Sequence, residues 1–269
     1  FCFFLFLLCF KNTKEHIKVE ATPLGSDVSS LLRNSPWWLL TAAALCSNLF
    51  NTVRGATVAY YFKYYISENV NVNLGIVSFI FFAGLFLAVG EVCNMVGVVM
   101  AVPISHKLGK RVTFAASCIG MAVLSILFFY LPCTNVGFIT MLLLQILISV
   151  CTGIISPLIW SMYADVADYA TIKDKTSSTG LIFSSGSMAQ KFGGAIAGSA
   201  VLWLFAAFGL VPNATTQTPD AILGMKLTMS WIPAAVAVLM VVIMVAYPLT
   251  KSKMKEINTK LKSIRKIED

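Results

Sequence analysis

Charge is what this chain has least of. Of its 269 residues only 12 % are charged, and Asp and Glu together number 12; the charged share is about half that of an ordinary soluble domain. Histidine is nearly absent: His16 and His106 sit in polar segments with no partner at ligand spacing. The cysteines (Cys2, Cys9, Cys46, Cys93, Cys118, Cys133 and Cys151) form no CxxC pair and lie almost all inside apolar runs. They read as buried free thiols, not as a metal centre or a disulfide framework. There is no HExxH, no pair of carboxylates within an apolar run and no Ser-His arrangement, which argues against an enzyme and against a resident cofactor.

Apolar sequence is what is there. Hydrophobic residues make up 58 % of the chain, more than the core of a soluble protein absorbs. Runs of about 20 residues or more recur along the whole length with short polar punctuation between them, the pattern of several membrane-crossing helices. Six complete runs are predicted, over residues 37–62, 74–104, 112–131, 138–163, 180–210 and 222–249. The fold class is therefore all-α and integral to a membrane.

A net charge of +8 raises nucleic acid as a partner, so the placement of the basic residues matters more than their sum. Lys11, Lys14, Lys18 and Arg33 precede the first full run, Lys107, Lys110 and Arg111 follow the second, and Lys173 and Lys175 follow the fourth. Seven more, from Lys251 to Lys266, fill the end of the chain. The intervening loops hold only Lys63 and Lys226. Basic residues on alternate loops mark the cytoplasmic side, which puts the first linker and the C-terminus in the cytoplasm of a multi-pass plasma (cell inner) membrane protein. Nucleic acid drops out.

The opening FCFFLFLLCF has no cleavage-type small residues after it and reads as the end of a further helix over residues 1–10, which makes the chain a fragment of a longer protein. Residues 11–35, with Pro23, Gly25 and several serines, read as a cytoplasmic linker between two helical halves. Residues 36–249 form a six-helix half, and residues 250–269 a basic tail. That tail is either an amphipathic helix on the inner leaflet, where each basic side chain adds about 1 kcal/mol of attraction to anionic lipid, or a solvated end.

Polar residues inside the runs are the candidate site. Lys191 lies about eleven residues into the fifth run, where it cannot easily reach water. A charge at that depth costs about 2.5 to 3.5 kcal/mol and is usually kept for an ion or substrate path. Ser187, Gly194 and Gly198 share its face. On the fourth run Gln145, Ser149, Thr152, Ser156 and Trp160 recur at helical spacing. Hydroxyls, an amide and an indole on one stripe suit a sugar, although Ser and Thr at such positions also simply bridge helices. On the first run Asn48, Asn51 and Arg54 fall three apart, and on the second Glu91 and Asn94 do the same. Arg54 and Glu91 are expected to pair across adjacent helices, as a structural clamp, a substrate contact or a proton site; the spacing leaves the three open. Asp165 and Asp168 share one face at a cytoplasmic helix end.

The segment from Pro103 to Arg111 is a tight basic turn, a degenerate form of the loop between paired helices in major facilitator superfamily transporters, where basic side chains hold the inward gate. More specific is Trp160-Ser161-Met162-Tyr163-Ala164-Asp165-Val166-Ala167-Asp168-Tyr169, followed by Lys173, by Gln190-Lys191-Phe192-Gly193-Gly194 and by the stretch from Gly209 to Asn213. With the Tyr60-Tyr61-Phe62-Lys63-Tyr64 cluster, these elements resemble in order and spacing the glycoside-pentoside-hexuronide cation symporters, the group that includes the melibiose transporters. The resemblance covers essentially the whole chain as the C-terminal half of that fold, its seventh to twelfth helices, plus the end of the sixth.

The resemblance implies uptake of a sugar, glycoside or uronide with Na+ or H+ as coupling ion, by alternating access between this half and a missing N-terminal half of the same chain. It implies that Lys191 lies near the cation and sugar sites, and that Asp165 and Asp168 belong to a cytoplasmic gate with basic partners, for which Lys107 and Arg111 are the candidates. Where the family continues with Gly-Glu and then Arg and Glu in the same loop, this chain has Ala170, Thr171, Ser177 and Thr179, so the charge network is thinned. A carrier of lysolipids or another solute on the same fold, and a non-transporting membrane sensor, are the alternatives.

Overall fold

The structure is a computed structural model and describes residues 24–66, 70–73, 78–174, 179–212, 214 and 216–268. The expected helix end over residues 1–10, the first part of the linker, and Ser177 and Asn213 lie outside the described residues.

The linker is not wholly irregular. Its last third forms helix α1 (Leu24–Leu32), and Leu31 is buried against the core. One residue pair later the chain enters α2 (Ser35–Tyr61), where Asn34 accepts a hydrogen bond at its Oδ1 from the Trp37 N–H and Pro36 sits in the first turn. Both features satisfy or remove N–H groups that a helix start leaves unpaired. The helix ends in a wider π turn over Phe62–Ile66, at the predicted tyrosine cluster.

The second run departs from its expected limits. Residues 74–77 lie outside the described residues, and Ser78–Phe81, expected to be helical, form strand β2, antiparallel to β1 (Val70–Asn73) with Val70 opposite Phe81. A short run of aromatic and β-branched residues carries no periodicity that separates strand from helix. Here it is settled by burial: Val72 and Phe81 are fully enclosed, and Phe81 meets Phe62, Phe86 and Phe138 at centroid distances of 5.1, 6.3 and 5.5 Å. Helix α3 (Ala83–Leu108) starts only after this cap and runs through Pro103, so the basic turn shrinks to the single residue Gly109, with φ of +90°. Only glycine adopts that conformation without strain.

Helix α4 (Lys110–Phe129) leads to α5 (Asn135–Asp174), whose 40 residues span about 60 Å at 1.5 Å each. The hydrocarbon core of a bilayer is about 30 Å thick, so the end of α5 that carries Asp165 and Asp168 projects beyond it. Helix α6 (Thr179–Ala207) lies along α2. The last expected run is broken into α7 (Pro219–Met229) and α8 (Trp231–Ala246) at Ser230, and α9 (Lys251–Glu268) closes the chain. In α9 Ile257 is buried and Met254 and Leu261 pack on the core, so the apolar stripe of the tail rests on protein. On its exposed face Lys260 binds Glu256 at 2.8 Å and holds that carboxyl below the usual range.

The helices pair α3 with α5, α2 with α6 and α4 with α8. The α3–α5 seam is backbone on backbone. A Cβ at Gly97 would stand 2.3 Å from the Val150 oxygen, and one at Gly153 would stand 2.1 Å from the Asn94 oxygen. Small residues let helices in lipid approach this closely. Among the described residues four stretches are long and apolar enough to cross a membrane: Ala83–Leu108, Lys110–Phe129, Asn135–Lys173 and Pro219–Ala246. The other two expected runs, α2 and α6, have the length but are more polar, because they carry Asn48, Asn51, Arg54 and Lys191.

Candidate polar cavity and its relatives

Among the described residues the most buried charge is Arg54, 5 % exposed, about two turns before the C-terminal end of α2. Its partner is set by a proline on another helix. Pro233 has no N–H to donate to the carbonyl four residues back, which is that of Met229. The break at Ser230 leaves that carbonyl turned toward α2, and Arg54 Nη1 donates to it at 2.7 Å. Nη2 donates to Gln145 Oε1 on α5 at 2.8 Å, and the guanidinium lies over the rings of Phe128 and Phe50 at 5.4 and 5.9 Å. Planar, weakly hydrated guanidinium suits such a site better than ammonium would.

The expected pairing of Arg54 with Glu91 is not formed. Among the described residues neither group makes an ion pair, because Arg54 is held at the floor by α5 and α7 while Glu91 is exposed on α3. Both line one cavity of about 300 Å³, together with Asn51, Asn94, Gln145, Ser149 and Thr152. Asn94 Nδ2 donates to Thr152 Oγ1 at 3.1 Å, and Gln145 Nε2 donates to Ser149 Oγ at 3.3 Å. The walls combine amides, hydroxyls and one charge of each sign with the apolar Phe50, Val58, Leu87 and Ile148.

The stripe on α5 is thus divided. Gln145, Ser149 and Thr152 enter the cavity, whereas Ser156 is exposed elsewhere and Trp160 stacks on Phe183, with 6.2 Å between centroids and parallel planes. The helix itself continues without a break through Pro157, which lies between Ser156 and Trp160. Asn48 does not reach the cavity either; it packs where α6 crosses at Gly193, and its Nδ2 points back at the Ala44 oxygen at 3.5 Å. Lys191 lies on the exposed face of α6 beside a second, open hollow lined by Ser184, Ser187, Met188, Phe192 and Ala195.

At the projecting end of α5, Asp165 pairs with Lys110 at 2.7 Å, not with Lys107 or Arg111. Arg111 instead donates from Nε to the Met244 oxygen at 2.8 Å and from Nη2 to the Val245 oxygen, closing the C-terminus of α8. Lys107 contributes its carbonyl, which with that of His106 accepts from Lys251 Nζ. Cations are favoured at these helix ends, where carbonyls have no intrahelical donor. Two features were missed in the sequence: Lys110 as the acid's partner and the Met229 carbonyl. Only the Met229 carbonyl had a legible signal, the proline four residues after it.

A polar-walled hollow between helices of an apolar bundle is what a solute carrier presents, and comparison of the chain with known proteins settles its kinship. Residues 1–251 match the family described as MFS/sugar transport protein. The chain belongs to this family. It is 28 % identical over 270 residues to a glucuronide carrier protein homolog of Escherichia coli, covering 98 % of this chain and 55 % of that protein. It is 29 % identical over 266 residues to the uncharacterized symporter YjmB of Bacillus subtilis, covering 94 % and 53 %. Against the isoprimeverose transporter of Lactiplantibacillus pentosus the identity is 26 % over 233 residues, covering 85 % and 46 %. The chain spans about half the length of the relatives it matches. These relatives are transporters, not enzymes, and the family with the apolar helices makes this a multi-pass membrane protein.

Proposed function

We propose that this chain supplies the C-terminal six-helix half of a secondary transporter that takes up a sugar, glycoside or uronide with Na+ or H+ by alternating access. The observation that carries the reading is the polar cavity enclosed by α2, α3 and α5, with Arg54 at its floor in an otherwise apolar bundle. Asn51, Asn94, Gln145, Ser149 and Thr152 offer the donors and acceptors that a hydroxyl-rich solute needs in exchange for its hydration. Lys191 stands on the open face of the neighbouring α6 and is assigned to the surface that a second half would cover, where it meets the solute or the coupling ion. Asp165 and Lys110 brace the cytoplasmic end, Asp168 is one turn further on, and the linker and tail are on the cytoplasmic side.

Uptake of a panel of labelled glycosides by the full-length protein, with and without a sodium gradient and with and without a proton gradient, tests this. Accumulation above equilibrium that collapses with one gradient is expected, and names the ion. Lys191→Ala is expected to abolish accumulation and Cys118→Ala to leave it intact. Gradient-independent equilibration, or normal concentrative uptake by Lys191→Ala, would overturn the assignment. Uptake of lysolipid in place of sugars would keep the fold and change the cargo.

A further inference from the structure

The electrostatics of the Arg54 cavity select among solutes. A guanidinium has five N–H donors, and two of those of Arg54 are taken by the neutral oxygens of Met229 and Gln145. No carboxylate pairs with it among the described residues, although it is 5 % exposed. Neutral oxygens and ring faces hold the group in place but do not cancel its charge, and a buried charge without a counter-ion is costly in a medium of low polarizability. The cavity above it is large enough for one sugar ring, at about 300 Å³, near the small end of ligand pockets. Apart from Glu91 at the rim, the polar groups of the remaining walls are neutral, the amides of Asn51, Asn94 and Gln145 and the hydroxyls of Ser149 and Thr152, set beside the apolar Phe50, Val58, Leu87 and Ile148.

Resting on the transport reading above, we propose that this cavity is a subsite for the anionic group of the substrate, a carboxylate or sulfonate carried on the sugar, with Arg54 as its counter-ion. A planar fork held on two sides by Met229 and Gln145 is already oriented, so an oxyanion entering the cavity meets donors that need no rearrangement. Glu91, exposed at the rim of the same cavity and without an ion pair among the described residues, is the opposing charge: it does not neutralise the buried Arg54, and it lowers anion affinity. The site therefore carries both a recruiting and a discriminating group, and solutes without an anion leave Arg54 uncompensated.

Binding to the purified full-length protein tests the proposal without requiring transport. The probes are methyl glucoside, methyl glucuronide, which replaces the C6 hydroxymethyl by a carboxylate, and the corresponding 6-sulfonate. The wild type is expected to bind one or both anionic probes about 30-fold or more tighter than methyl glucoside, and the two anionic arms tell carboxylate from sulfonate. Arg54→Gln is expected to bring that ratio close to one. Because Arg54→Gln also loses the bond to Met229, Glu91→Gln provides a second reading: it removes only the rim charge and is expected to raise the ratio. Equal binding of all three probes, no binding of either anion, or an unchanged ratio in Arg54→Gln or in Glu91→Gln would overturn the proposal. Concentrative uptake of neutral glycosides with no anion preference would sink this inference alone. An intact anion preference with no concentrative uptake would sink the transport reading alone.

Discussion

At the scale of single residues the decisive contact is between a guanidinium and a carbonyl that a proline has released. If Pro233 leaves the Met229 oxygen for Arg54, then Pro233→Ala restores an N–H that competes for it. Thermal unfolding in detergent is expected to show the pair Arg54→Gln and Pro233→Ala as less destabilising together than the sum of the two alone, by about 1 kcal/mol; strict additivity would mean the two are not linked. The ion pair of Lys110 and Asp165, with side chains 35 % and 15 % exposed, is intermediate between surface and buried pairs. A double-mutant cycle with Lys110→Met and Asp165→Asn is expected to give a coupling of about 1 to 2 kcal/mol, whereas the same cycle between Asp165 and Arg111 is expected to give none. Spacing along the chain made all these charges visible. It did not say which would meet, because partners of a buried arginine lie 91 and 175 residues away in sequence.

At the scale of elements the helices follow from apolar runs and their boundaries from local chemistry. Asn34 and Pro36 start α2, and Gly109 turns α3 into α4 in one residue. The seam of α3 and α5 depends on the absence of side chains. Gly153→Val places methyl groups inside the Asn94 backbone and is expected to abolish a monodisperse folded protein, or to destabilise it by about 3 kcal/mol or more. Gly55, where a Cβ would meet nothing within 4 Å, is the matched control, and Gly55→Ala is expected to behave as wild type in size-exclusion chromatography. Strand β2 before α3 falls within the expected helical run because aromatic runs of this length look alike in either state; only the cluster of Phe62, Phe81, Phe86 and Phe138 that it completes distinguishes them.

At the scale of the whole molecule the charge bias of the loops predicts an orientation. Cys133 is exposed in the turn between α4 and α5, at the opposite end of α4 from Lys110. If the basic ends are cytoplasmic, a membrane-impermeant thiol reagent added to intact cells is expected to label the full-length protein at Cys133, and Cys133→Ser is expected to remove that labelling. Labelling that requires permeabilised cells would invert the topology. The basic ends are also tied together: Lys110 to α5, Arg111 to α8, Lys251 to the last carbonyls of α3. These cross-ties are all within this bundle, so they make that end one body.

The sequence by itself determined the class of the protein, the order and approximate places of its long helices and its family, because apolar length, loop charge and short motifs are local properties. Which polar residues share a cavity was decided only in three dimensions. Lys191 stands out in the sequence as a lone charge in an apolar run, yet the side chain enclosed by the bundle is Arg54. Burial is a property of what packs around a residue, and for Arg54 that is a ring pair, an amide and a broken helix contributed by distant parts of the chain.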